Sequence, residues 1–214
     1  VTTTDDLIER LAGDLAPVRP GAVARRLGLG IGAGALVSAA IMLAWLGVRP
    51  DIGAAVTTGA YWIKFLYTAA IAAAGLRAVE RLARPAGRGS PALGAVALAV
   101  ALAALGGATE LGQASAAERM PLMMGSSASA CPWIILVLSL PILVGAGWAL
   151  RGLAPTRLAL AGAAAGLAAG GLGAWIYAFH CTETATAFLA IWYTAGVVAV
   201  GLIGAALGPR LLRW

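Results

Sequence analysis

Charge is scarce in this chain: 11% of its 214 residues are Asp, Glu, Lys or Arg, against roughly one quarter in an ordinary soluble domain. Together with a hydrophobic share of 61%, this excludes a water-soluble globule. Two cysteines exclude a disulfide-rich scaffold, and a single histidine excludes a metal cluster built from imidazoles. The vocabulary of catalysis is thin, so an enzyme is not expected, and neither is a constitutive cofactor. The net charge of +6 would indicate nucleic acid as the partner of a soluble protein. Here the positions of the basic residues give another reason for it, and no direct nucleic-acid contact is expected.

What is present is long apolar runs. Lipid cannot hydrogen-bond an exposed backbone, so a segment of about 20 apolar residues crosses a bilayer as a helix. Five charge-free stretches qualify, and a sixth, from Tyr61 to Glu80, carries Lys64 near one end and Arg77 near the other. Both can reach headgroups by snorkelling. The expected fold class is all-α: a polytopic membrane protein with six transmembrane helices near 27–47, 61–81, 92–109, 132–150, 158–180 and 187–207. Arg49-Pro50, Arg84-Pro85, Pro121 and Pro155 punctuate the connections.

Positively charged segments resist translocation, so Lys and Arg set the orientation. All but Arg49, Lys64 and Arg119 of the 15 basic residues fall on one side of the six-span reading. Both termini are therefore expected in the cytoplasm of a bacterial inner membrane, with the basic segments against anionic headgroups. Three regions follow: a cytoplasmic helix and linker over 1–26, a transmembrane domain over 27–208 and a tail over 209–214. Residues 1–26 mix acidic and basic residues before any apolar run, unlike a signal peptide. Small residues recur at four-residue spacing, at Gly28 and Gly32, at Gly30 and Gly34, at Gly162, Gly166 and Gly170, and at Gly204 and Gly208, where helix backbones can approach closely. Packing within the bundle is the first reading of these faces, and a homodimer interface is the second.

The N-terminal segment predicts a soluble helix. Thr3 and Asp6 stand at capping-box spacing, and the helix runs to about Ala16, before Pro17. At 100° per residue, Leu7, Ile8, Leu11 and Leu15 share one stripe. Asp5, Asp6, Glu9 and Asp14 against Arg10 give an acidic polar face, unlike the basic face of a membrane-surface helix. Such a helix suits either a basic partner's groove or the protein's own inner loops.

Cys131 opens the fourth span and Cys181 closes the fifth, so both are expected at the outer face and at similar height. Two readings stay open: a structural disulfide in an oxidising compartment, or a sensor in which Cys131, Cys181 and His180 offer ligands to a thiophilic metal, or the thiols meet an oxidant. Met120, Met123 and Met124 read as apolar residues at a span entry. Lys64 reads as a snorkelling lysine, with Glu110, Glu118 or Glu183 as alternative partners. Trp62, Trp133, Trp175, Trp192 and Tyr193 read as interfacial anchors.

These pieces resemble one family. The N-terminal T-D-D-L-I-E-R-L-A-G-D-L-A-P-V, the segment M-P-L-M-M-G-S-S-A-S-A-C-P-W-I, the segment H-C-T-E followed by F-L-A-I-W-Y, and the closing L-G-P-R-L-L-R-W are similar to NrsF, the negative regulator of sigma F. The resemblance covers essentially the whole chain. It implies a membrane-embedded anti-sigma factor whose cytoplasmic segment, with Asp5, Asp6, Leu7, Ile8, Leu11 and Leu15, holds an extracytoplasmic-function sigma factor away from RNA polymerase. It also implies that Cys131 and Cys181 sense heavy metal or oxidative stress, with a thiophilic metal ion as signal. The competing expectations are a membrane thiol-disulfide oxidoreductase, which would need a shuttling cysteine pair, and a small-molecule or cation transporter, which would need ionisable or broken-helix sites at mid-membrane.

Overall fold

The computed structural model describes residues 3–13, 21–85, 87–88 and 90–213. Their regular structure is entirely helical: α1 (Thr4–Gly13), α2 (Ala22–Trp45), α3 (Ile52–Ala55), α4 (Gly59–Leu82), α5 (Ser90–Gln113), α6 (Ala116–Met124), α7 (Cys131–Arg151) and α8 (Leu158–Tyr177). A last helix, α9, spans Thr186–Leu211 and contains a π-helical turn at Leu189–Tyr193. Six of these, α2, α4, α5, α7, α8 and α9, are long and apolar enough to cross a membrane. Each lies within a few residues of its expected span.

The six long helices run up and down, so the connections alternate between two ends. One end gathers α3, α6 and the segment 178–185, and carries both cysteines. It is called the thiol end below. The other, the terminal end, gathers the start of α2, the end of α9 and the connections after α4 and α7. There Arg26 Nε donates to the Ala149 carbonyl at 2.9 Å, its guanidinium lies 4.7 Å from the Trp148 ring centroid, and Arg151 Nε donates to the Leu211 carbonyl at 2.7 Å. These links tie the last turns of α7 and α9 and the first turn of α2.

Glycine and alanine decide which helix sits in the middle. α8 is two-thirds buried over its apolar window and packs on α4, α7 and α9, whereas α5 is about one-fifth buried and packs on α4 and α9. A Cβ at Gly162 would run into the Gly204 carbonyl, and one at Gly34 would lie 2.6 Å from the Ile142 Cα. Both helix pairs therefore meet backbone to backbone. The small faces at Gly30, Gly34, Gly162, Gly166, Gly170, Gly204 and Gly208 pack within the chain, as first expected. The packing expectation is corrected for Gly28 and Gly32, which meet nothing within 4 Å and border a lateral groove of about 400 Å³ with Leu76 and Leu172, on the side of α2 turned away from α7.

Two elements were not anticipated. α3 turns the chain after α2. α6 is a short helix whose first turn is closed by a capping box, in which Ser115 N–H and Oγ–H donate to Glu118 Oε2 at 2.9 and 2.7 Å. Met120 and Met124 are exposed on it, so they do not enter a span.

Candidate functional site

Cys131 is the first residue of α7, with its N–H bonded to the Ser127 carbonyl at 2.8 Å. Cys181 follows the turn that ends α8, with its N–H bonded to the Tyr177 carbonyl at 3.0 Å. The antiparallel α7 and α8 bring both residues to the same end, where Cys131 is 0% and Cys181 3% exposed. Both are free thiols. They are electrostatic neighbours, and Lys64 and Glu183 also act on Cys131.

A polar network fixes the segment around Cys181. Lys64 Nζ donates to the carbonyls of Cys181 at 2.8 Å and Glu183 at 2.6 Å, and Arg49 Nη1 donates to the same Cys181 carbonyl at 3.1 Å. The Arg49 N–H reaches the Phe179 carbonyl at 3.0 Å. Lys64 is 4% exposed, so the snorkelling expectation is corrected. Its ammonium points into the protein, and it bonds Glu183 through the backbone, not the carboxylate. Burying an ammonium costs several kcal/mol, and a pair of short bonds to carbonyl dipoles offsets that cost while fixing the loop.

The charged groups around this clamp are satisfied. Arg49 and Asp51 form a two-pronged pair, Nε to Oδ1 and Nη2 to Oδ2, each at 2.7 Å. The hydrogen-bonded Arg49 fork holds the Asp51 carboxyl below its usual range, and the same bond raises the guanidinium against the opposing effect of burial. Glu183 Oε1 accepts from Ser126 N at 2.8 Å, Ser126 Oγ at 2.7 Å and Ser127 Oγ at 3.1 Å. Burial acts to raise that carboxyl, and the serine donors together outweigh it, leaving it below the usual range. Glu183 thereby ties the loop after Cys181 to the loop before Cys131. Glu110 Oε2 accepts from the Ala187 N–H at 2.7 Å, joining α5 to the first turn of α9.

Aromatic rings close the site from below. The Tyr177 and Tyr193 rings lie 5.7 Å apart between centroids, tilted by 30°, and Lys64 Nζ lies 5.8 Å from the Tyr193 ring centroid. Tyr193 is 0% exposed, which corrects its reading as an interfacial anchor. Trp62 and Trp133 are exposed, as anchors would be, whereas Trp175 and Trp192 are half-buried, with Trp192 Nε1 donating to the Met123 carbonyl at 2.9 Å.

The soft donor atoms at this end include two buried sulfurs. Among the described residues, no group of three His, Cys, Asp or Glu side chains converges as metal ligands would. The His180 ring, half-buried and 5.8 Å from the Tyr177 ring between centroids, uses Nδ1 on the Gly47 carbonyl at 3.0 Å. Glu183 Oε1 is taken by the serines. That leaves the Cys131 and Cys181 thiols without a bonded side chain among these groups, beside the Lys64 ammonium that holds the Cys181 carbonyl.

At the N-terminus, α1 forms the expected cap: Thr3 N–H donates to Asp6 Oδ2 at 3.2 Å, and Asp6 N–H donates to Thr3 Oγ1 at 3.3 Å. Leu7, Ile8 and Leu11 are 54%, 58% and 64% exposed, and no residue of α1 is buried. Asp5 and Asp6 lie in its first turn. The helix ends at Gly13, and Leu15 and Asp14 lie outside the described residues.

An all-helical protein with six helices of membrane-crossing length, a buried thiol pair at one end and an unpacked amphipathic helix in front of the first span defines a small class of architectures. The comparisons with known proteins name it. The family described as "Negative regulator of sigma F", NrsF, matches residues 11–214, and this chain belongs to it. The "Anti-sigma-F factor NrsF" of Caulobacter vibrioides is 45% identical over 214 residues, covering 99% of both chains. The "Probable anti-sigma-F factor NrsF" of Azospira oryzae is 37% identical over 219 residues, again covering 99% of both. No solved structure matches the chain.

Proposed function

We propose that this chain is an inner-membrane anti-sigma factor that holds an extracytoplasmic-function sigma factor through α1 and releases it when the thiol pair meets a thiophilic metal or an oxidant. Full-length similarity to proteins named anti-sigma-F factor supports the class of activity, and one structural observation carries the mechanism. α1 presents a leucine-rich stripe with nothing packed on it, beside an acidic face. A helix of 10 residues is marginal alone in water, so a partner groove that buries Leu7, Ile8 and Leu11 would stabilise it. Asp5 and Asp6 would meet basic side chains at the rim of that groove, with residues to the C-terminal side, Leu15 included, extending the contact.

The thiol end faces the periplasm in this reading, and the termini face the cytoplasm. The protein's role is regulatory, without catalysis. Metal binding at Cys131 and Cys181, or their oxidation, displaces the 181–185 segment held by Lys64, Arg49 and Glu183. That segment leads directly into α9, whose backbone lies against α8 down to Gly208. A coupling of about 1–3 kcal/mol between the thiol pair and α1 corresponds to a 5- to 150-fold change in affinity.

The test has two parts. The sigma factor encoded beside this protein is co-purified with the full chain and with a variant lacking residues 3–13. Loss of binding by the variant, with membrane insertion intact, is the expected result, and retained binding refutes the role of α1. In reduced whole cells, a thiol reagent that cannot cross the inner membrane is expected to label Cys131 or Cys181 once metal-chelated buffer has opened the outer envelope. Labelling only after lysis of the inner membrane refutes the orientation.

A further inference from the structure

We propose that the terminal end holds a site for one anionic phospholipid, its phosphate on the arginines that close α4 and an acyl chain in the groove between α2 and α4. This rests on the reading of the six long helices as membrane spans, and it concerns a region apart from the thiol pair and α1.

The first observation is a cluster of like charge. Arg77, Arg81 and Arg84 follow one another at i, i+4 and i+7, along one face of the end of α4 and the turn after it. With Arg88 and Glu80 they line a cavity of about 440 Å³, four guanidinium groups against one carboxylate. Glu80 Oε1 accepts from Arg84 Nη2 at 3.1 Å, and among the described residues the side chains of Arg77, Arg81 and Arg88 make no hydrogen bond. Arg26 and Arg151, at the same end, are instead committed to carbonyls of α7 and α9. Like charges gathered in one concavity repel, and an anion between them relieves the repulsion.

The second observation is the turn that completes the cavity. The Gly87 N–H donates to the Arg84 carbonyl at 3.1 Å, and a Cβ on Gly87 would overlap the Arg81 carbonyl. The chain thus folds back against the end of α4, which brings Arg88 into the cavity that Arg81 lines.

The third observation is the apolar groove that adjoins it. α2 packs on α7, and α4 packs on α8 and α5, which leaves a gap between α2 and α4 with Leu172 of α8 in its wall. Its α2 wall runs from Ala24 to Ala35, about 17 Å at 1.5 Å per residue. Gly28 and Gly32 keep that wall low. Leu76 and Glu80 form the α4 wall, and Glu80 also lines the arginine cavity. The two spaces therefore meet at one residue, the charged one at the helix ends and the apolar one running toward the middle of the bundle.

A phospholipid has the same order of parts. Guanidinium forks match phosphate oxygens in two-pronged, charge-assisted bonds. Any acyl chain of a bilayer can lie in the groove, so the arginines select the headgroup and the groove fixes where the lipid sits. A soluble phosphate would use the arginine cavity alone, and so would an acidic peptide.

The experiment titrates phosphatidylglycerol into full-length protein in phosphatidylcholine-detergent micelles and reads the first lipid bound by native mass spectrometry. The parent is expected to take phosphatidylglycerol in preference to phosphatidylcholine. Arg77→Gln combined with Arg81→Gln is expected to weaken that binding about tenfold or more, through lost charge-assisted bonds. Gly32→Leu, which fills the groove and keeps every charge, is expected to weaken it as well, and Gly28→Leu repeats the test if Gly32→Leu does not fold. Arg210→Gln combined with Arg213→Gln removes the same charge from exposed positions at the same end and is expected to leave binding unchanged. Equal losses from the two arginine pairs overturn the proposal, because the attraction would then be diffuse. Parental binding with the groove filled overturns it too, as does displacement of the lipid by an equal concentration of glycerol 3-phosphate, since the headgroup alone would then be recognised. Tighter lipid binding after removal of residues 3–13 also overturns it, because the acidic face of α1 would be the occupant. Release of the parent chain from membranes by alkaline carbonate refutes the reading of the helices as spans, whatever the lipid titration gives.

Discussion

At the thiol end, almost every polar group is answered from within the chain: Lys64 and Arg49 share one carbonyl, Asp51 takes the Arg49 fork, and Glu183 takes three serine donors. On α1 only the cap is answered, and its leucines face solvent. The contrast separates two ways of storing function. A network closed on itself keeps one arrangement until something enters it, and among the described residues two buried donors, Trp175 Nε1 and the Tyr193 hydroxyl, stay open beside it. A helix with an open apolar stripe is completed only by a partner. In the proposed mechanism the closed region sets the state and the open region reports it.

The sharpest attack on this contrast is on α1 itself. Leu7→Asp combined with Leu11→Asp is expected to weaken sigma-factor binding on the order of 100-fold or more, as loss of central interface anchors does. The thermal midpoint of the bundle should stay where it was, because α1 buries nothing. A fall in that midpoint would mean that α1 packs on its own protein.

The next effect lies inside the bundle. Gly162→Leu, at the backbone contact with Gly204, is expected to cost about 3 kcal/mol or more, read as a lowered thermal midpoint or lost insertion. Gly28→Leu, which meets open space, should change stability by about 0.5 kcal/mol or less. Equal effects at both positions would contradict the packing described here.

A smaller loss is expected from Lys64→Met, which removes donors from the Cys181 and Glu183 carbonyls at a cost of about 1–3 kcal/mol. Its discriminating readout is faster thiol alkylation at Cys181, as the clamped segment loosens. Alkylation at the parental rate would show that Lys64 does not hold that segment.

The mildest effect is on pH dependence. The Glu183 carboxyl titrates below its unfolded value, so its contribution is complete above the unfolded pKa and is lost as pH falls through the lower folded pKa. Stability of the parent should therefore decline on acidification below about pH 4.5, and Glu183→Gln should flatten that part of the profile. Asp51 has the same sign, so some acid dependence should survive in the variant.

Much of the fold was legible because burial in lipid demands uninterrupted apolar runs. The six long helices begin and end within a few residues of the runs that announced them, and the cysteines share an end because the short connection over 152–157 makes α7 and α8 antiparallel. The capping box at Ser115 and Glu118 was a visible sign of α6, obscured by the apolar Met120–Met124 run that read as a span entry. Other features had no sign at all. Lys64 bonds to backbone carbonyls, which every residue carries, so composition and spacing pointed instead to headgroups or to carboxylates. The π turn is a property of how α9 packs, and without it Tyr193 reads as one more aromatic near a membrane surface. The placement of residues was thus legible where it follows from the spans, as for Cys131 and Cys181 at one end. It was hidden where it lies in backbone geometry.

The account stands or falls on communication between the thiol pair and α1. The most direct measurement is the dissociation constant of the sigma factor for the full-length protein in nanodiscs, with and without Cd2+, in the parent and in Cys131→Ser and Cys181→Ser. A 5- to 150-fold weakening by Cd2+ in the parent, absent from both variants, is the predicted result. An affinity that Cd2+ leaves unchanged in the parent, or weakens equally in the cysteine variants, would contradict it.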